Sequence, residues 1–133
     1  MKPNPVGWFE IYVQDMERAK SFYESVFQLT LDLLPAPPAP EGDSCDDDME
    51  MWAFPMSEKG YGAPGALIRI KGVPSGRGGT MVYFSCEDCA DEATRSAERG
   101  GSIFRKKMPI GEYGFIAIVT DTEGNMLGLH SRK

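Results

Sequence analysis

The residues of this chain that could do chemistry are few and unevenly placed. There is one histidine, His130, near the C-terminal end of the sequence. Its ring is the side chain whose unperturbed pKa lies closest to neutrality, so proton transfer near pH 7 looks first to it. At the other end, alternation along WFEIYV (8–13) sets Trp8, Glu10 and Tyr12 on one side of a strand and Phe9, Ile11 and Val13 on the other. The second set is ordinary core. A carboxylate between Trp and Tyr faces solvent, a partner subunit or a cavity, and which of these it faces decides function.

Two further patterns carry potential chemistry. Cys86-Glu-Asp-Cys89 has the CxxC spacing of a redox dithiol or of half a zinc site. Zinc needs two more ligands, and the chain offers only Cys45 and His130 beyond this pair. The pair does stand where a strand hands over to a helix, as a reactive dithiol would. Cys86, however, shares strand parity with Val82 and Phe84, which points it into a core, and both thiols read as small buried hydrophobes. The stretch EGDSCDDDME (41–50) is acidic enough for calcium but lacks the ligand order and central glycine of an EF-hand loop. It reads as a solvated loop.

The elements that must position these residues belong to one globular domain, residues 1–133. Hydrophobic residues make up 41% and charged residues 26% of the chain, enough for a core without staples. A net charge of −6 and a pI near 4.8 exclude a basic nucleic-acid-binding face. No window approaches the ~18 apolar residues of a membrane span, and MKPNPVGW lacks the apolar core of a signal peptide. Three cysteines without a secretion signal suggest reduced thiols. A cytoplasmic protein is the expectation.

A repeat organises the chain. FEIYVQDMERAKSFYESVF (9–27) is an alternating strand, an aspartate and a helix, and VYFSCEDCADEATRSAERGG (82–101) has the same plan 73 residues on, with Asp15 matching Asp88 as helix N-caps. Met16, Ala19, Phe22, Tyr23, Val26 and Phe27 form an apolar stripe on the first helix; Cys89, Ala90, Ala93 and Ala97 form a thinner one on the second, which stops at Gly100-Gly101. Each helix is followed by three strand candidates: 29–34, 49–54 and 65–70 in the first half, 102–107, 114–120 and 126–131 in the second. The joins are turn-rich, PAPPAPEGD, SEKGYGAPG, PIGEYG and TDTEGN. The chain therefore reads as β-α-β-β-β written twice, modules 5–70 and 79–131.

That doubled plan, with VQDMERAKSFYESVF (13–27) near the start and DTEGNMLGLHS (121–131) at the end, resembles the vicinal oxygen chelate superfamily of glyoxalases, bleomycin resistance proteins and extradiol dioxygenases. The resemblance runs from about residue 5 to residue 131. It implies an α+β fold in which two βαβββ modules form a cupped open barrel around a central cavity. Enzymatic members hold a divalent metal there with His or Glu from the first and last strands of each module. The first ligand, seven residues before the capping aspartate, corresponds to Trp8, and its repeat partner to Met81. The last, three residues after the Gly-Asn pair, corresponds to Gly128, and GALIRI (65–70) contains no His, Asp or Glu. Indole nitrogen and glycine cannot ligate a metal, and a thioether prefers soft ions. The expectation is a family site without its usual metal, and no cofactor.

On the same carry-over, Trp8, Tyr12, Met81 and Tyr83 line the cavity as apolar and aromatic walls, with Glu10, Ser85 and His130 as its polar groups. This is the usual make-up of a small-molecule pocket. Glu10 and His130 are the candidate catalytic pair, a carboxylate and an imidazole able to exchange a proton with a ligand. The plainer alternative is that the two satisfy each other or nearby backbone groups. Glu112 and Tyr113 in PIGEYGF (109–115), like Tyr61 in SEKGYGAPG, sit in loops that read either as exposed turns or as a rim over a ligand. Many members of the superfamily are homodimers, which is the expectation here, with Trp8, Phe9 and Trp52 as interface candidates. The first reading is thus a metal-free small-molecule binder; a drug-sequestering resistance protein differs from it only in ligand. The alternative is an enzyme of lyase or isomerase type, using Glu10 and His130 or a displaced metal site.

Overall fold

The computed structural model describes residues 5–35, 49–57 and 62–133. Cys45, Tyr61 and most of the acidic stretch 41–50 lie outside the described residues. In order, the elements are β1 (Val6–Tyr12), α1 (Met16–Phe27), β2 (Asp32–Leu34), β3 (Glu50–Ala53), β4 (Gly65–Arg69), β5 (Thr80–Ser85), α2 (Cys89–Glu98), β6 (Ser102–Pro109), β7 (Phe115–Thr120) and β8 (Met126–Ser131). The β-α-β-β-β plan occurs twice, as the repeat predicts, and the class is α+β.

The chain divides into two compact units, one holding the described parts of 8–80 and the other 5–7 with 81–133. The ends are tied by backbone hydrogen bonds. Ser85 N donates to Pro5 O at 2.8 Å, which keeps the first residues with the second unit, while Tyr12 N donates to Gly79 O at 2.8 Å within the first.

In the first unit the strand order is β2-β3-β4-β1, with β1 parallel to β4 and the other pairs antiparallel. A parallel pairing needs a long crossover, and the helix together with β2 and β3 supplies it. Asp15 starts α1 in extended geometry by accepting from Arg18 N at 3.0 Å, and Gln28, at φ 55°, ends it in the left-handed region. Under the helix, Val13, Met16, Leu31 and Leu67 are buried together, with Ile11, Ala19, Tyr23, Trp52 and Phe54 packed against them. Phe9 joins this side through Phe54, ring centroids 5.5 Å apart. Its ring fits because its partner across the parallel pair is Gly65, where a Cβ would overlap it.

The single apolar stripe expected on α1 divides. Met16 is buried and Ala19 and Tyr23 pack on the sheet, but Phe22, Val26 and Phe27 are 57%, 54% and 59% exposed. At 100° per residue Phe22 and Val26 stand roughly 50–90° round the axis from the packed set. Phe27 lies on the packed side in the last turn, stacked on Tyr23.

The second unit repeats the order as β5-β8-β7-β6, with β5 parallel to β8. Asp88 caps α2 by accepting from Ala90 N at 3.0 Å, and buried Ser131 accepts from Cys89 N through its hydroxyl, also at 3.0 Å. The core below α2 is Cys89, Ala93, Ala117, Val119 and Leu129, with Phe84, Cys86, Phe115 and Leu127 against it. Both CxxC cysteines therefore belong to packing, Cys89 buried and Cys86 partly buried against the cluster, as the strand parity of Cys86 and the helical stripe of Cys89 implied. Val82, of the same parity, is an exception at 37% exposed.

Candidate functional site

In the first unit the sheet face away from α1 carries the residues singled out by alternation. Trp8, Glu10 and Tyr12 project from β1 on this side and are arranged around the carboxylate. Trp8 Nε1 donates to Glu10 Oε2 at 3.0 Å, and the Tyr12 hydroxyl donates to Oε1 at 2.5 Å. Glu10 is 9% exposed, a buried carboxylate whose two oxygens are each held by a neighbour two residues away on its own strand. Around them lie buried Met51, Ala66 and Ile68, with Leu34, Met49 and Ile70 partly buried against them. The register explains the grouping: Glu10 stands beside Ala66, Tyr12 beside Ile68, and Ile68 beside Met51.

Met51, Ala66 and Ile68 were not among the residues picked from sequence as lining this face. The alternation of MEMWAF and GALIRI would have placed them there once the pairing register was known.

The other tryptophan uses the same device on the opposite face. Trp52 Nε1 donates to Glu50 Oε2 at 2.8 Å, Arg69 pairs with Glu50 at 3.4 Å, and Lys20 Nζ sits 3.3 Å from the centroid of the Trp52 ring. This charged set fastens α1 to β3 and β4.

In the second unit the corresponding face presents Met81, Tyr83 and Ser85 from β5 and Gly128 and His130 from β8. Met81 and Tyr83 are buried, at 9% and 7% exposed. Tyr83 pairs with Gly128, and a Cβ at Gly128 would overlap the Tyr83 ring; the phenol fills the place a side chain at 128 would need. Ser85 pairs with His130, and its hydroxyl takes the space left by the absent side chain of Gly7. His130 Nε2 lies 2.6 Å from the Tyr113 carbonyl oxygen. A carbonyl only accepts, so Nε2 carries the proton, and the lone pair of the neutral ring is on Nδ1. Tyr113 and Glu112 belong to a short 3-10 turn, Gly111–Tyr113, before β7. Glu112 is exposed and Tyr113 half-buried. Burial first, and then the Glu112 carboxylate, push the Tyr113 phenol pKa up.

The structure thus gathers Trp8, Glu10 and Tyr12 in one unit, and Tyr113, His130 and Ser85 in the other. Glu10 and His130 each have partners within their own unit. Cys86 is no redox candidate by its protonation either. Burial, followed by the Glu92 and Cys89 charges, raises its thiol to about 11, and its Sγ–H points at Phe84 O at 3.5 Å.

A divalent metal does not fit the positions the resemblance assigns to it. Trp8 offers an N–H that is already donating, Gly128 offers no side-chain donor atom, Met81 offers only a thioether, and residues 65–70 hold no His, Asp or Glu. Among the described residues no three His, Cys, Asp or Glu side chains come close enough together to hold a metal ion.

Comparison with known proteins places this geometry in a family. The model of the Glyoxalase/Bleomycin resistance protein/Dioxygenase superfamily matches residues 6–129. A search of curated proteins gave no match. Among solved structures, the chain is similar to a hypothetical protein from Bacillus halodurans C-125, with TM-score 0.67 and 14% identity over 99% of this chain and 96% of that one. It is similar to methylmalonyl-CoA epimerase from Mycobacterium tuberculosis, with TM-score 0.64 and 15% identity over 100% and 93%. A Streptomyces coelicolor methylmalonyl-CoA epimerase variant in complex with 2-nitronate-propionyl-CoA gives TM-score 0.61 and 12% identity over 95% and 92%. At these identities the likeness is one of fold.

Proposed function

The chain belongs to the Glyoxalase/Bleomycin resistance protein/Dioxygenase superfamily, and from that premise we propose that it binds a small molecule on the sheet face of Trp8, Glu10 and Tyr12, without the superfamily's usual metal. The observation that carries this reading is the buried Glu10 carboxylate, held by an indole and a phenol amid Met51, Ala66 and Ile68. A mostly apolar surface with one firmly oriented polar group is the common composition of small-molecule sites. A thermal-shift screen of metals and metabolites, followed by Trp8 emission in a Trp52→Phe background, tests it. Binding raises the melting temperature and changes the emission of Trp8, the remaining indole. A library that moves neither, or one divalent metal per purified chain by elemental analysis, overturns the reading.

The second reading is an enzyme of lyase or isomerase type in which Glu10 and His130 transfer protons. Its support is that methylmalonyl-CoA epimerases share the fold and that His130 keeps Nδ1 as a base. Turnover of any discovered substrate should fall at least ~100-fold in His130→Gln; unchanged turnover removes this reading.

A further inference from the structure

We propose that β6 (Ser102–Pro109) is a docking edge for a short acidic strand of another protein, added beside it by backbone pairing. β6 ends the strand order β5-β8-β7-β6, and its ladder runs to β7 alone. Among the described residues no backbone hydrogen bond leaves its outer side. The N–H and C=O groups that face outward from such an edge are a template for a further strand. Ser102, Ile103, Phe104, Arg105 and Lys106 are exposed one after another, so neither face of this stretch is closed off.

The side chains decide what kind of strand fits. Arg105 and Lys106 have no ion pair among the described residues, whereas Lys107 is held by Asp88 at 2.8 Å. Two β6 edges brought together would set these cations against their own copies, which opposes pairing with a second chain, and basic residues commonly guard an edge in this way. A purely guarded edge gains nothing from large apolar side chains. Yet Ile103 and Phe104 stand directly before the charges, 36% and 59% exposed. Apolar and basic groups side by side on an open edge match a strand in which apolar and acidic residues alternate. The whole chain carries −6, so the attraction is local, within the ~10 Å over which charges are felt at 0.1 M salt. Register shifts against β7 on either side of Arg105 interrupt the ladder and keep the docked segment short.

Three fluorescein-labelled peptides test it by anisotropy against the full chain at pH 7: Glu-Val-Glu-Val-Glu-Val, its Lys-Val-Lys-Val-Lys-Val counterpart, and the acidic peptide N-methylated at alternate residues. The acidic peptide is expected to bind about tenfold more tightly than the basic one, and the preference should shrink in high salt. N-methylation removes the donors that a ladder needs and should abolish binding. Hydrogen exchange should slow within 102–109 when the acidic peptide is bound. In the double variant Arg105→Glu, Lys106→Glu, changed at two exposed positions, the preference should invert. No binding of the acidic peptide at millimolar concentration, equal binding of acidic and basic peptides, or protection of amides elsewhere overturns the proposal. Undiminished binding after N-methylation overturns it too, since charge attraction alone is then at work. Self-association that disappears in the double variant gives the edge to a second copy and likewise overturns it. The peptides are compared on one folded protein, so the test holds even where the double variant fails to fold. None of these outcomes touches the binding reading of the Trp8–Glu10–Tyr12 face.

Discussion

At the scale of single residues, the two tryptophans show how this chain uses neighbours two apart on a strand. In WFE the indole reaches forward to Glu10, and in EMW it reaches back to Glu50, because side chains at i and i+2 stand on the same face. The two outcomes differ in their surroundings. Trp52 is tied to Lys20 and Arg69 and holds the helix on the sheet, whereas Trp8 is grouped with apolar residues on the helix-free face. Gly128 shows the opposite case, a residue whose role is to have no side chain. Gly128→Ala is expected to destabilise the protein by about 1–3 kcal/mol through overpacking against Tyr83. The penalty should nearly vanish in a Tyr83→Ala background, a coupling that urea unfolding of the four proteins in the cycle would measure. An equal penalty in both backgrounds would show that the ring is not what fills the space.

At the scale of elements, burial and not apolarity decides what a substitution costs. Leu67, at the centre of β4 and 0% exposed, sits in the cluster under α1. Leu67→Ala should cost about 2–5 kcal/mol, while Phe22→Ala, on the exposed part of the helix, should stay within about 0.5 kcal/mol. Denaturant midpoints at constant m-value would read both. The caps and turns make a pH prediction. Asp88 is held below the usual carboxylate range chiefly by its hydrogen bond from Lys107, and then by that from Ala90 N. Asp121 is lowered by hydrogen bonds from the Asn125 and Glu123 backbones and the Asn125 side chain, which close the turn before β8. A carboxylate with a depressed folded-state pKa contributes stability that is complete above its unfolded value, near ~3.9, and lost as pH falls through the folded one. Melting temperature should therefore drop between about pH 5 and pH 2. The drop should be smaller in Asp88→Asn and in Asp121→Asn, each compared with its own value at pH 7. Parallel curves for wild type and variants would contradict the assignment.

At the scale of the whole molecule, the proposal carried forward from the superfamily is a homodimer. Phe22, Val26, Phe27 and Leu33 leave apolar surface exposed on α1 and β2, a composition that suits self-association. Light scattering coupled to size exclusion should return twice the chain mass of 14.7 kDa. A monomer at micromolar concentration would end that proposal and would not touch the binding reading, which needs one unit. No helix among the described residues is long and apolar enough to cross a membrane.

The sequence by itself determined the α+β plan, because the signals are local and repeated. A two-residue alternation, a capping aspartate and a stripe at helical spacing recur 73 residues apart, and each is legible without knowing what lies across the sheet. It also located the Trp8, Glu10 and Tyr12 face and the core-facing side of Cys86 by parity, and the packing of Cys89 by helical spacing. Parity, however, says which side a residue takes, not what it meets there. The closing of Trp8 and Tyr12 onto the two Glu10 oxygens, the Tyr83 ring over Gly128, the Tyr113 carbonyl on His130 and the division of the α1 stripe were decided only in the tertiary structure. Each depends on strand register, on the rotation of a helix over its sheet or on a rotamer that satisfies a buried polar atom, and these are set by packing between segments distant in the chain.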